Sequence, residues 1–195
     1  MKSDGTTPRI VTSTLWEVRF PRLVIALAVG AGLGCAGALL QGIFANPLAE
    51  PSIIGVSSGG AVFASGLLAI ASLAGVERSY GFLKWGTALA AFIGALLTTL
   101  LVYSLSRVQG KTVVVNLILV GVAINAMAGG FVTLFSFIGG TMAQSQVVFW
   151  QLGSLAGAGW SSAVITLIIT VIGIVIACLC CLLYTSDAAD DMQCV

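Results

Sequence analysis

Histidine is absent from this chain, and charge is nearly so: of 195 residues only 8% are Asp, Glu, Lys or Arg. Soluble domains carry about a quarter charged residues, so a water-facing globule is excluded. No charge at all falls between Lys111 and Asp187, and a stretch that long without charge cannot form a solvated surface. The missing histidine removes the usual base of serine and cysteine hydrolases and the commonest metal ligand. A net charge of +1 offers no basic face to nucleic acid. Cysteine is scarce, with 5 in all. Cys178, Cys180 and Cys181 crowd into one apolar run without spaced partners, so they read as small apolar fillers rather than zinc ligands. No bound metal or cofactor is expected.

What the chain does have is apolar length. Hydrophobic residues make up 58% of it, and the mean hydropathy is +1.11. A helix needs about 20 apolar residues to cross the hydrocarbon core. Stretches 22–44, 53–74, 82–105, 113–137 and 161–183 qualify. They are continuous rather than alternating, which favours helices over barrel strands. The expected fold class is all-α, a polytopic transmembrane helix bundle. Residues 1–21 form a polar amino-terminal segment, and no small-residue cleavage site follows the first apolar run, which argues against a secretory signal peptide. Residues 22–181 read as the transmembrane domain. The end of the chain, "CLLYTSDAADDMQCV", shifts abruptly from apolar to acidic. Residues 182–195 are therefore expected to be a non-native tail, of the kind a translated adaptor or frame-shifted read-through leaves; the other reading is a short acidic cytoplasmic tail.

Small residues recur at spacing four in the first span: Ala26, Gly30, Gly34, Ala38 and Gly42. That spacing puts them on one face, where another helix backbone can approach closely. The fourth span repeats the device with Gly121, Asn125 and Gly129. Asn116 and Asn125 are nine residues apart, two and a half turns, so they face opposite sides. Asn125 shares its face with the glycines, and reads as a helix contact or a pathway wall.

The most irregular stretch, "FANPLAEPSIIGVSSGG", lies between two apolar runs and holds two of the four prolines. Pro47 and Pro51 lack backbone donors and push Asn46 and Glu50 out of helical geometry. A stiff, tight link is expected rather than a loose loop. Residues Gly55 to Gly59 also fit the G-x-S-x-G nucleophile elbow. That elbow needs a base, and it follows a soluble strand, whereas this one opens a span. Ser57 and Ser58 read instead as helix-start caps or packing groups.

The run "VRFPRLVIALAVGAGLGCAGALLQGIFANPLAEPSIIGVSSGG" resembles the signature region of the iron-siderophore, haem and cobalamin (FecCD-type) permeases of ABC importers. Its Arg-apolar-Pro-Arg opening, glycine-rich span, Gln-Gly, Asn-Pro-Leu-Ala-Glu-Pro and Gly-Val-Ser-Ser-Gly turn appear in the family's order. "FWQLGSLAGAGW" is similar to the tryptophan-bounded segment before a later span, and the resemblance covers residues 15 to about 180. Full-length relatives have about twice as many spans and a cytoplasmic coupling segment, so the chain reads as an internal fragment.

The resemblance implies a transport subunit without its own catalytic site, in the bacterial inner membrane. Its partners would be a second permease subunit (the same or different), cytoplasmic ATP-binding subunits, and a periplasmic or lipoprotein substrate-binding protein. The cargo would be a metal chelate, and nucleic acid would play no part. Arg19 and Arg22 would meet acidic residues of the binding protein on the outer face. Asn46, Pro47, Leu48 and Pro51 would form a cytoplasmic gate, against the plainer reading of a structural turn in which Asn46 caps backbone. The positive-inside rule points the other way. Lys2, Arg9, Arg19, Arg22, Arg78 and Lys84 lie on one side and only Arg107 and Lys111 on the other, which would put the amino terminus in the cytoplasm. The family orientation is preferred, since an upstream span would carry its own topological signal. A stand-alone secondary transporter or an intramembrane enzyme is disfavoured, because both need ionisable residues within the spans.

Overall fold

The computed structural model describes residues 12–44, 46–47, 50–75, 80–108, 111–112 and 114–191. Their order is α1 (Phe20–Phe44), a one-turn 3-10 helix (Pro51–Ile54), α2 (Val56–Leu73), α3 (Tyr80–Leu105), a two-residue hairpin (Arg107–Val108 with Lys111–Thr112), α4 (Val114–Ile138), α5 (Gly140–Leu152) and α6 (Trp160–Asp191). Five of the helices are long and apolar enough to cross a membrane: Thr12–Phe44, Val56–Leu73, Trp85–Leu105, Val114–Ile138 and Trp160–Cys180. The fold is an all-α, polytopic membrane architecture. The hairpin pairs Arg107 with Thr112 and Val108 with Lys111 between α3 and α4.

Contacts divide the chain into two units, Met1–Gly42 with Leu155–Val195, and Ile43–Ser154. In the second unit α2 is central, packed on α3, α4 and α5. It is the most buried span, with 33% of its apolar window inside, and glycines explain the close approach. A methyl group built on Gly94 of α3 would come within 2.5 Å of the Gly59 carbonyl oxygen, and one on Gly59 within 2.6 Å of the Gly94 carbonyl oxygen. Only hydrogen at both positions lets the two backbones meet.

In the first unit α1 and α6 meet where the Thr170 methyl lies 3.4 Å from a Cβ built on Gly32. Trp16 stacks edge-on against Phe20 at 5.2 Å and tilts against Trp160 at 5.6 Å. The Trp160 indole N–H donates to the Trp16 carbonyl at 2.9 Å.

Three boundaries differ from the sequence reading. The first helix is already in place at Thr12, the first described residue, rather than beginning near residue 22, and Pro21 lies inside it. A widened turn, Leu15–Arg19, closed by the Phe20 N–H on the Leu15 carbonyl, precedes the proline. Proline crowds the preceding turn and lacks a donor, and a wide turn is the local answer to both. The connector between the fourth and fifth expected spans contains a helix, α5. Its 13 residues reach only about 20 Å at 1.5 Å each, too short to span, and they bury Ala143 and Val147, one helical turn apart. Finally, α6 continues as helix past residue 181 to Asp191. Nothing in "LLYTSDAADD" is a helix breaker, so the compositional shift there is not a backbone break.

Candidate functional site

Within the second unit, the link after α1 is built around its two prolines. Asn46, Pro47 and Glu50 are exposed. Glu50 is extended (φ −132°, ψ 154°), as its position before Pro51 requires. Pro51 begins the 3-10 turn, where its missing donor is no loss. The Ser52 hydroxyl donates to the Glu50 carboxylate, so Glu50 is held by its own turn. Gly55 then reverses the chain in the left-handed region (φ 82°) and α2 starts, a conformation that favours glycine. Leu48, the remaining gate candidate, lies outside the described residues.

The turn is fastened to α4. The Asn125 side-chain amide donates to the Ser52 carbonyl at 3.0 Å, and its oxygen accepts from the Ser58 hydroxyl at 2.6 Å. The Gly55 carbonyl stands 3.0 Å from the same hydroxyl as a second acceptor. One helical turn before Asn125, Gly121 lets the backbone of the turn press directly on α4: a methyl there would coincide with the Ile53 carbonyl oxygen. Gly121 and Asn125 are thus brought together at one contact. Gly129 is not part of it, and a methyl there would meet nothing within 4 Å.

Asn125 therefore makes a helix contact. A cleft of about 160 Å³ beside it is lined by Gly59, Val62, Thr98, Ile124, Met127 and Phe131 among others, and is almost entirely apolar. Ser58 packs against its neighbour rather than capping α2, which has no side-chain cap. The elbow reading of Gly55–Gly59 finds no support in the geometry, since Ser57 sits exposed at the first turn of a helix with no strand before it among the described residues. Among the described residues no cluster of three His, Cys, Asp or Glu could hold a metal ion.

In the first unit the two arginines differ. Arg19 is exposed, whereas Arg22 is half-buried and donates through its guanidinium to the Ala156 carbonyl at 3.0 Å. Its Nε is buried and has no partner among the described residues. Arg22 and Trp160 together tie the loop ahead of α6 to the start of the first helix. Gly30 and Gly34, placed by sequence on a packing seam, have no atom within 4 Å of a built Cβ.

Sequence reasoning did not find the Asn125–Ser52 and Arg22–Ala156 bonds, because each joins a side chain to a distant backbone carbonyl. Side-chain-to-backbone pairs leave no pattern in residue types. The Gly59–Gly94 approach did leave a signal, a glycine in each of two apolar runs.

Known proteins resemble this chain in sequence and in fold. A cobalamin import system permease, BtuC of Halobacterium salinarum, is 35% identical over 167 residues, 86% of this chain and 42% of its own length. A hemin transport system permease, HmuU of Yersinia pestis, is 34% identical over 77% of this chain and 44% of its own. A vitamin B12 import system permease, BtuC of Vibrio vulnificus, is 36% identical over 80% and 44%. A solved structure of an inward-facing ABC transporter assigned to the metal-chelate type superposes with a TM-score of 0.70 at 30% identity, covering 88% of this chain and 50% of that one. The chain spans less than half the length of these curated relatives. The profile of the FecCD transport family matches residues 3–190, and with the link, its glycines and its apolar spans in place, the chain belongs to that family.

Proposed function

We propose that the chain is part of the permease of a binding-protein-dependent ABC importer that carries a metal chelate across a bacterial inner membrane. Cobalamin, haem and iron-siderophore complexes form the cargo class. Family membership over residues 3–190 is the observation that carries the reading, and relatives named as cobalamin and hemin permeases support it. In the full-length protein a second permease subunit, the same or different, completes the pathway. ATP-binding subunits drive it from the cytoplasm, and a periplasmic or lipoprotein binding protein delivers cargo. The permease performs no covalent chemistry.

Arg19 supplies an exposed charge for docking the binding protein, and Arg22 shapes the same surface through the loop it holds. Asn46, Pro47, Leu48 and Pro51 act as a gate at the cytoplasmic mouth. The stiffness of the link suits that role, since it transmits helix movement without absorbing it.

Proteoliposomes holding the full-length permease, its ATPase and its binding protein test the reading. ATP-dependent uptake of one of the three chelate classes is expected. An assembled complex that hydrolyses ATP on adding loaded binding protein, yet takes up none of them, overturns the assigned cargo class.

A further inference from the structure

The contact between α4 and the Pro51–Ile54 turn is more specific than helix packing requires. Three groups of α4 and α2 converge on one short stretch of backbone. Asn125 donates to the Ser52 carbonyl at 3.0 Å and accepts from Ser58 at 2.6 Å. Gly121 lies against the Ile53 carbonyl with no room for a methyl group. Asn125 therefore holds both sides of the left-handed Gly55, the turn before it and the first turn of α2 after it.

The chemistry of the pair selects the amide. Asparagine offers a donor and an acceptor from one short side chain. An aspartate keeps the acceptor for Ser58 but turns an oxygen toward the Ser52 carbonyl. An alanine leaves that carbonyl without its side-chain donor. Within the turn, the Ile53 N–H on the Glu50 carbonyl (3.2 Å) and the Gly55 N–H on the Ser52 carbonyl (3.0 Å) fix its shape. Asn125 fixes its place.

We propose that Asn125 is a positioning residue that locks the Pro51–Ile54 turn to α4, so that the turn and the Glu50 held on it follow α4 instead of moving on their own. The lock is a claim about this chain's structure. Its consequence for transport rests on the gate reading above. An ordinary helix contact would stabilise the protein without governing the mobility of the turn. The lock ties turn mobility, and through it coupling, to one amide.

Hydrogen exchange of the full-length permease in nanodiscs tests the lock with no partner present. Asn125→Ala is expected to speed exchange of peptides covering residues 52–55 by about three- to tenfold, the factor supplied by the net loss of about one hydrogen bond, with peptides of α3 unchanged. Ser58→Ala, which removes one arm and leaves the Ser52 bond, should give a smaller rise in the same peptides. It also serves if Asn125→Ala does not fold. Unchanged exchange at 52–55 in both variants overturns the lock. Transport per ATP hydrolysed, measured on the same variants in the assembled importer, is expected to fall in the order of the exchange rise. Faster exchange with unchanged coupling overturns the positioning role and leaves a structural contact. A wild-type importer that moves no chelate defeats the function proposed above, and the exchange result still decides the lock.

Discussion

The carbonyl oxygen of Ile53 occupies the space that a side chain on Gly121 would need. Turn and helix are in backbone contact there, so position 121 tolerates only hydrogen. Gly121→Ala must displace the turn or bend α4, and overpacking of this kind costs about 1–3 kcal/mol. Gly129→Ala, two turns along the same face, meets nothing within 4 Å; it should be neutral or gain up to about 1 kcal/mol from better helix propensity. Unfolding midpoints of the two full-length variants in detergent check the contrast. Equal midpoints would show that the turn does not rest on α4.

Gly59 and Gly94 make the same argument for α2 and α3. Alanine at Gly94 would meet both the Gly59 carbonyl and the Phe63 side chain, and the Gly59 side of the contact is backbone that cannot step aside. Gly94→Ala should lower the yield of folded protein severalfold, whereas Gly30→Ala and Gly34→Ala, with open space around them, should not. Monodisperse recovery after gel filtration measures all three.

Much of this architecture was legible because a membrane leaves few choices. Backbone groups must be satisfied within the chain, so long charge-free runs could only be helices, and each of the five expected spans overlaps an observed one. One feature of the link was legible for a similar reason: Pro51 dictates an extended residue before it, and Glu50 is extended. Helix α5 was not legible, because "TMAQSQVVFWQL" is too short and too polar to register as a span. Its burial rests on Ala143 and Val147, two residues that periodicity alone cannot single out. The pairing of Asn125 with Ser52 and Ser58 was hidden further, since a lone asparagine on a glycine-bearing face fits a pathway wall as well as a helix contact.

The two arginines should separate in binding experiments. Arg19 is exposed, while Arg22 is occupied by the Ala156 carbonyl. Arg19→Glu should slow association of the binding protein severalfold at low salt, the effect shrinking as the Debye length falls to about 8 Å at physiological ionic strength. Arg22→Gln should act less through salt-dependent association and more through the order of the loop ahead of α6, seen as faster proteolysis around residues 153–159. Identical salt dependence for both would mean that Arg22 is not held by the loop. Thr12→Cys, in a cysteine-free background, should react with an impermeant thiol reagent from the periplasm. Labelling only from the cytoplasmic side would reverse the orientation and remove the docking role.

Replacing both Pro47 and Pro51 with alanine tests the stiffness of the link. Each proline restricts its own φ and its predecessor's backbone, and removing both widens the states open to residues 46–50. The Asn125–Ser52 bond and the Gly121–Ile53 contact are left intact, because neither involves a proline. The link should therefore loosen between two fixed ends rather than detach. In the full-length importer ATP hydrolysis should be largely retained, while chelate transported per ATP falls severalfold. Asn46→Ala should act in the same direction without loss of membrane insertion. If the stretch is only a structural turn, the double variant gives less assembled complex but normal transport per complex. Reconstituted vesicles reporting uptake and hydrolysis on the same preparation distinguish the two, and an unchanged ratio would leave the prolines no part in gating.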